Sequence, residues 1–302
     1  MSNLVDFVKT GKKIVAAAIN YKAVIKQRNL LRPEKPIFFL KPTTSYITEG
    51  QAIKVPENFQ LVQEAELGVI IGKTCKNVPE SDAMSYVGGY CLALDMTASS
   101  ELIPARQCGF PWALSKSFDT ACPVSRFIKP GEIKDPHNIE IWNKINGKLN
   151  QKSNTNDLLF NIPQLICYIA KYITLEEGDL ILTGTPPGDS KKVAREKGGP
   201  WCIGKGFDTS CPVSRFITLE ELGDPHNVEI WCKVNGELRQ SGNTNDLIFN
   251  IPQLISFITK YMTLEVNDLV LTGTPPGNLP VSKGDTIEAG FGDIINFRFN
   301  IE

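Results

Sequence analysis

Glu64 and Glu66 stand two residues apart in Val62–Gly72, a run whose β-branched and apolar residues, closed by glycine, predict a strand. Side chains at i and i+2 of a strand leave the same face, so the two carboxylates point together while Ala65 and Leu67 face the other way. Such a like-charge pair is relieved by a cation. Asp95 ends a second predicted strand, Val87–Asp95, where an ionised group is costly unless it is exposed, paired or metal-bound. Three carboxylates from neighbouring strands, with no histidine or thiolate beside them, make an all-oxygen set that suits Mg²⁺, Mn²⁺ or Ca²⁺ better than Zn²⁺. Taken alone, Glu-x-Glu on a strand equally describes a solvated face.

Little else in the chain offers reactive chemistry. Its two histidines, His137 and His226, both sit in Asp-Pro-His-Asn, a surface-turn sequence, so no Ser-His-Asp or Cys-His arrangement can be assembled around them. Thr183-Gly184-Thr185-Pro186-Pro187-Gly188 lacks the Lys-Ser/Thr of a phosphate loop and reads as a tight turn. The basic stretch Lys191–Lys197 reads as a solvated helix face, and Trp112 and Trp201 as core.

The elements that must position these groups occur largely in duplicate. Pro111-Trp112 returns as Pro200-Trp201, Cys122-Pro123-Val124-Ser125-Arg126-Phe127 as 211–216, and Thr183–Gly188 as 272–277, at a gapless offset of 89 residues. The copies, 111–188 and 200–277, are roughly two-thirds identical, and two units of this length do not make a solenoid. Each copy predicts a strand (Glu140–Ile145, Glu229–Val234), an Asn-Gly hairpin turn, and then a helix opened by Ile-Pro-Gln (Ile162–Tyr172 in the first copy). A short buried strand, Asp179–Thr183, follows in the first. Thr286–Ala289 and Ile294–Ile301 predict closing strands after the second. The fold class is mainly β with a few helices (α+β).

The chain divides into an N-terminal half (1–99), copy A (100–188), copy B (189–277) and closing strands (278–302). Removing one 89-residue block from 302 leaves 213 residues, a normal single-domain length. Either 1–188 with 278–302, or 1–99 with 189–302, would then form one domain. Copy A is expected in place beside the N-terminal half, although Pro104 in its linking segment argues against a helix there. Copy B has the better helix former, Lys191–Lys197, and runs straight into the closing strands. The surplus block would expose apolar surface and favour association.

Composition fits a globular protein: 42% hydrophobic, 22% charged and net charge −1, with no bias toward nucleic acid or anionic membranes. The eight cysteines form no C-x-x-C pair, as expected of reduced thiols inside a cell. The first residues lack a secretory apolar core, and Lys9, Lys12 and Lys13 give at most a weak amphipathic targeting pattern. The expected location is mitochondrion or cytoplasm, not secreted.

Glu64-Ala65-Glu66-Leu67-Gly68, Tyr86–Tyr90 leading to Asp95-Met96-Thr97-Ala98, Pro111-Trp112 to Lys116-Ser117-Phe118, and Leu182-Thr183-Gly184-Thr185-Pro186 together resemble the fumarylacetoacetate hydrolase family. The closest likeness is to its acylpyruvase and oxaloacetate decarboxylase branch. The resemblance implies a β-roll, or mixed β-sheet, fold with one segment duplicated. It also implies a homodimer and a Mg²⁺ or Mn²⁺ ion held by Glu64, Glu66 and Asp95. Lys116 or Lys205 would grip the carboxylate or enolate of the substrate, and Thr185 or Thr274 would contact it. The implied activity is hydrolysis or decarboxylation of acylpyruvates or oxaloacetate-like β-keto acids, without nucleic-acid or membrane partners.

Several family positions are changed. The lid histidine and glutamate that activate water are Val24 and Gln27, neither of which can accept a proton at neutral pH. The histidine before Glu-x-Glu is Gln63. An arginine and a glutamine expected after the Asp95 strand are Ser99 and Leu102, and the aligned positions in copy B, Gly188 and Lys191, do not restore them. The alternatives are therefore a relative that binds metal and keto acid without efficient turnover, or a chain joining two interchangeable blocks.

Overall fold

The computed structural model describes residues 4–187, 205–206, 208–278 and 280–302. Lys191–Lys197, Gly188 and Trp201 lie outside the described residues. The chain separates into two compact units, Met1–Ser210 and Cys211–Glu302.

The first unit is built on a seven-stranded mixed sheet. Its strands are β1 (Ile14–Ala18), β2 (Ile37–Lys41), β3 (Tyr46–Thr48), β5 (Ala65–Ile71), β6 (Val87–Leu94), β8 (Cys122–Val124) and β11 (Leu180–Leu182). Their order across the sheet is β2-β1-β11-β5-β6-β8-β3. The short pair β4 (Leu61–Val62) and β7 (Thr97–Ala98), and the ribbon β9 (Glu140–Ile145) with β10 (Lys148–Asn154), stand apart from it. β11 lies between β1, to which it is parallel (Ile14↔Leu180), and β5, to which it is antiparallel (Leu180↔Ile70).

Period-two alternation sorts the sheet's side chains into two cores. Val15, Val69, Ile71 and Ile181 pack in one with the helix α5 (Ile162–Ala170), through Ile162, Leu165, Ile166 and Ile169. Ile14, Ala16, Ile70, Leu180 and Leu182 pack in the other with Phe39 and Trp112. Each fully buried Ile or Leu contributes about 1.5–3 kcal/mol. α5 starts where a capping box forms: Asn161 Oδ1 accepts from the Gln164 N–H, and Gln164 Oε1 accepts from the Asn161 N–H, each at 3.0 Å.

This unit also contains the α-helices α1 (Phe7–Thr10), α2 (Lys22–Arg28), α3 (Ser99–Cys108) and α4 (Ala113–Lys116). α3 corrects the expectation that Pro104 would break the linking segment, since the proline lies inside the helix. Burial of Ser99 and Leu102, with Ser99 bonded through its N–H and its hydroxyl to the Gln60 carbonyl, outweighs the one backbone bond that proline removes. Glu64 falls just outside β5, in the gap between β4 and β5, rather than within one continuous strand.

The second unit is a four-stranded antiparallel sheet, β13-β12-β14-β15, made of β12 (Glu229–Val234), β13 (Glu237–Asn243), β14 (Thr286–Phe291) and β15 (Ile295–Asn300). β12 and β13 are the copy B hairpin, and β14 and β15 are the closing strands. A short helix spans Leu219–Leu222, and a capping box between Asn250 and Gln253 opens the longer one, α6 (Ile251–Ile258), as Asn161 and Gln164 open α5. Among the described residues no helix is long and apolar enough to cross a membrane.

Candidate metal centre

Three elements bring the acidic residues together. Glu66 belongs to β5, Asp95 directly follows β6, and the Asp95 N–H donates to the Glu64 carbonyl at 2.8 Å, tying the two strand ends. One carboxylate oxygen from each of Glu64, Glu66 and Asp95 lies within 4.8 Å of the others. Glu66 and Asp95 are buried, and all three line one cavity with Lys116 and Thr185.

Lys116 ends α4 and is itself buried. Its Nζ lies 2.8 Å from Glu64 Oε2 and 2.5 Å from Asp95 Oδ2. The other Asp95 oxygen meets Lys41 Nζ at 2.8 Å. The same Lys41 ammonium donates to the carbonyls of Met96 and Ala121, at 3.3 and 3.1 Å, and to that of Lys116. One cation thus fixes the acid, the start of the segment after it and the backbone of the neighbouring lysine.

The turn after β11 completes the wall. The Gly184 N–H donates to Glu66 Oε2 at 2.6 Å, from a backbone φ of +102° that favours glycine. Asn20 braces this turn by donating to the carbonyls of Thr183 and Phe160, at 2.8 and 2.9 Å. The Thr185 hydroxyl donates to the Ala65 carbonyl at 3.2 Å and accepts from Gln151 Nε2 at 2.9 Å.

Burial and neighbouring charges shift these groups in different directions. Burial, with Asp95 and Glu64 beside it, pushes the Glu66 carboxyl well above its ordinary value, against the pull of the Gly184 N–H and Lys116. Burial would also raise Asp95, but Lys116 and Lys41 outweigh it and hold that carboxyl below the usual aspartate range. Burial would lower Lys116, and the attraction of Asp95 and Glu64 reverses the direction. Glu64, Glu66 and Asp95 form a hard, oxygen-rich cluster, and the upward push on Glu66 is the cost a bound cation would relieve. These residues fit a divalent cation of the Mg²⁺ or Mn²⁺ type.

The duplicate candidates are not part of this cluster. Lys205 is exposed and does not line the cavity. Thr274 lies in the second unit, is exposed, and accepts from Gln240 Nε2 at 2.9 Å, the repeat counterpart of the Gln151–Thr185 bond. His137 and His226 occupy turns whose backbone N–H groups donate to Asp135 and Asp224, each at 2.9 Å. The seven described cysteines are all free. Val24, at the lid position, lines the cavity and packs with Tyr21 and Leu158. Among the described residues, the cavity lining contains no histidine and no acid beyond the three.

Lys41 and Asn20 were not expected from the sequence. Lys41 did carry a signal: a charged residue closing the apolar run Phe38-Phe39-Leu40 needs a buried partner for the same reason that Asp95 does. Asn20 carried none, because its partners lie about 140–163 residues away.

A curled, mostly β fold with this carboxylate centre defines the class. The chain belongs to the fumarylacetoacetate hydrolase family: the profile described as fumarylacetoacetate (FAA) hydrolase C-terminal matches residues 13–198 and, a second time, 189–302. Among individual proteins, the chain is 47% identical over 183 residues to the human protein named oxaloacetate tautomerase FAHD1, mitochondrial, covering 60% of this chain and 83% of that one. It is also 47% identical over 184 residues to a Dictyostelium discoideum protein named oxaloacetate decarboxylase, mitochondrial, covering 60% and 84%. A Pseudomonas aeruginosa fumarylpyruvate hydrolase, solved in complex with Mn²⁺ and pyruvate, matches with a TM-score of 0.55 and 27% identity over 59% of this chain and 79% of that one.

Proposed function

We propose that the chain is a divalent-metal-dependent enzyme of oxaloacetate-like β-keto acids. In this proposal Glu64, Glu66 and Asp95 hold Mg²⁺ or Mn²⁺, and Lys116 and Thr185 meet the substrate. The observation that carries it is the triad of carboxylates, two of them buried, with Lys116 set between Glu64 and Asp95. When bound, the ion would polarise the keto carbonyl of a chelating acid. The Lys116 ammonium would stabilise the negative charge that builds on the enolate oxygen as the C–C bond breaks. Thr185, held by Gln151 and Ala65, would contact the acid.

Decarboxylation suits this site better than hydrolysis. Loss of CO₂ sends the bonding pair into the enolate and needs an electron sink, whereas hydrolysis also needs a base for water. Val24, packed against Tyr21 and Leu158, supplies none. Incubating the protein with oxaloacetate or acetylpyruvate, with Mg²⁺ or Mn²⁺, is the test, and oxaloacetate turnover well above that of acetylpyruvate is expected. Val24 also favours a second reading, a relative that binds without turnover. That reading prevails if neither acid is consumed while metal still raises the melting temperature.

We also infer self-association and a mitochondrial or cytoplasmic location. Apolar side chains of copy B are exposed, Ile248 at 89% and Phe216 at 86% among them. Light scattering that finds only monomer would overturn the first inference, and fractionation tests the second.

A further inference from the structure

Two guanidinium groups enter the same cavity as the three carboxylates and Lys116. Arg28 comes from the last residue of α2, and Arg106 from the last turn of α3. Arg106 is held in place: its Cζ lies 4.5 Å from the centre of the Trp112 ring, and that ring packs 5.8 Å from Phe39. Among the described residues neither arginine has an ion-pair or hydrogen-bond partner. The carboxylates of the cavity are already engaged, Glu64 and Asp95 with Lys116, and Glu66 with the Gly184 N–H.

Helical spacing explains how Arg106 reaches the cavity. Ser99, Leu102 and Arg106 are spaced i, i+3 and i+7 along α3, so they share a face, and all three line the cavity. Ser99 and Leu102 are uncharged, and the positive charge of this face is carried two turns further along. Burial disfavours the charged form of Arg106, and the nearby Arg28 disfavours it again, with only Glu64 opposing. An anion between the two arginines would relieve both costs, and two forked donors match the two oxygens of a carboxylate.

We propose that Arg28 and Arg106 form a second anion subsite in this cavity, which binds the distal carboxylate of a dicarboxylic keto acid and selects it over a monocarboxylic one. The inference rests on the proposed keto-acid function, in which the keto acid head is held at the carboxylate triad. It adds what the remote end of the substrate must be.

The test is calorimetric titration of the full-length, Mn²⁺-loaded protein with 2-oxoglutarate and with 2-oxopentanoate, five-carbon keto acids that differ in the distal carboxylate. The unaltered protein should prefer the diacid. Arg28→Gln and Arg106→Gln should each weaken diacid binding by about tenfold or more and monoacid binding by less than about twofold. Arg106→Lys, which keeps the charge and loses the fork, should fall between and guards against a misfolded glutamine variant. Equal weakening of both acids, or no change in either, overturns the subsite. Mn²⁺ is titrated first: binding without discrimination between the acids sinks the subsite alone, while failure to bind Mn²⁺ sinks the proposed function and the subsite with it.

Discussion

Copy A and copy B share most of their sequence and several local elements, yet their side chains meet opposite surroundings. Ile166 in α5 is fully buried, and its repeat partner Ile255 in α6 is 43% exposed. Leu182, in the middle of a sheet, is fully buried, while Leu271 is 73% exposed and joins no strand. The capping boxes at Asn161 and Asn250 and the Asn-Gly hairpins form alike in both copies, because they depend on residues within a few positions of each other. What differs is supplied from outside. β1 and β5 occur once, and copy A's β11 takes the place between them. β14 and β15 also occur once, and β14 pairs with copy B's β12, leaving β9 and β10 as a two-stranded ribbon. Local sequence sets the elements, and the count of available neighbours sets which copy is packed.

The comparison breaks most visibly at the lysines. Lys116→Ala should lower kcat by about 10²–10³, as loss of a preorganised charge-stabilising group does, whereas Lys205→Ala should leave it unchanged. A similar loss in both variants would mean that copy B also completes a site. Glu66→Ala should remove metal-dependent stabilisation, which at a metal concentration 100 times Kd amounts to about 2.7 kcal/mol. A melting temperature that still rises with Mn²⁺ in this variant would place the metal elsewhere.

Ile166→Val should cost about 0.5–1.5 kcal/mol in denaturant unfolding and Ile255→Val less, because only the first leaves a hole in a packed core. The smallest effect tests where the copies remain alike. Arg126 bonds Glu132 and Arg215 bonds Glu221, each at 2.8 Å, and the arginine's hydrogen bonds depress both carboxyls to about 2. Carboxyl titration by NMR should find both midpoints near that value, with Glu132 returning toward the ordinary glutamate range in Arg126→Ala. A carboxyl depressed in the folded state stabilises above its unfolded pKa. These two contributions should therefore be present at neutral pH and fade as pH falls below the usual glutamate range toward about 2.

Much of this was legible in the residues. The hairpins, α5 and the closing strands follow from period and turn chemistry that operate over short distances, whereas Glu64 lies outside β5 and approaches Glu66 from the gap before it. Asp95 was legible as a charge at the end of an apolar strand. Lys41 obeys the same rule, but its partners Met96, Lys116 and Ala121 come from segments 55–80 residues away, and no local pattern announces them. Pro104 misled because helix propensity is a weak term beside the burial of Leu102. The resemblance points to Ser99 for an arginine, and the arginine that lines the cavity, Arg106, stands two turns later on the same helical face.

The single place between β1 and β5 also has a history in time. A chain leaves the ribosome from its N-terminus at about 5–20 residues per second, so copy A is exposed about 4–18 s before its twin, long compared with the formation of a strand or helix. It meets the sheet while no competitor yet exists. β14 and β15 are made last, directly after copy B, and the hairpin nearest in synthesis is the one that β14 joins. The division of neighbours between the two copies thus follows the order of their birth.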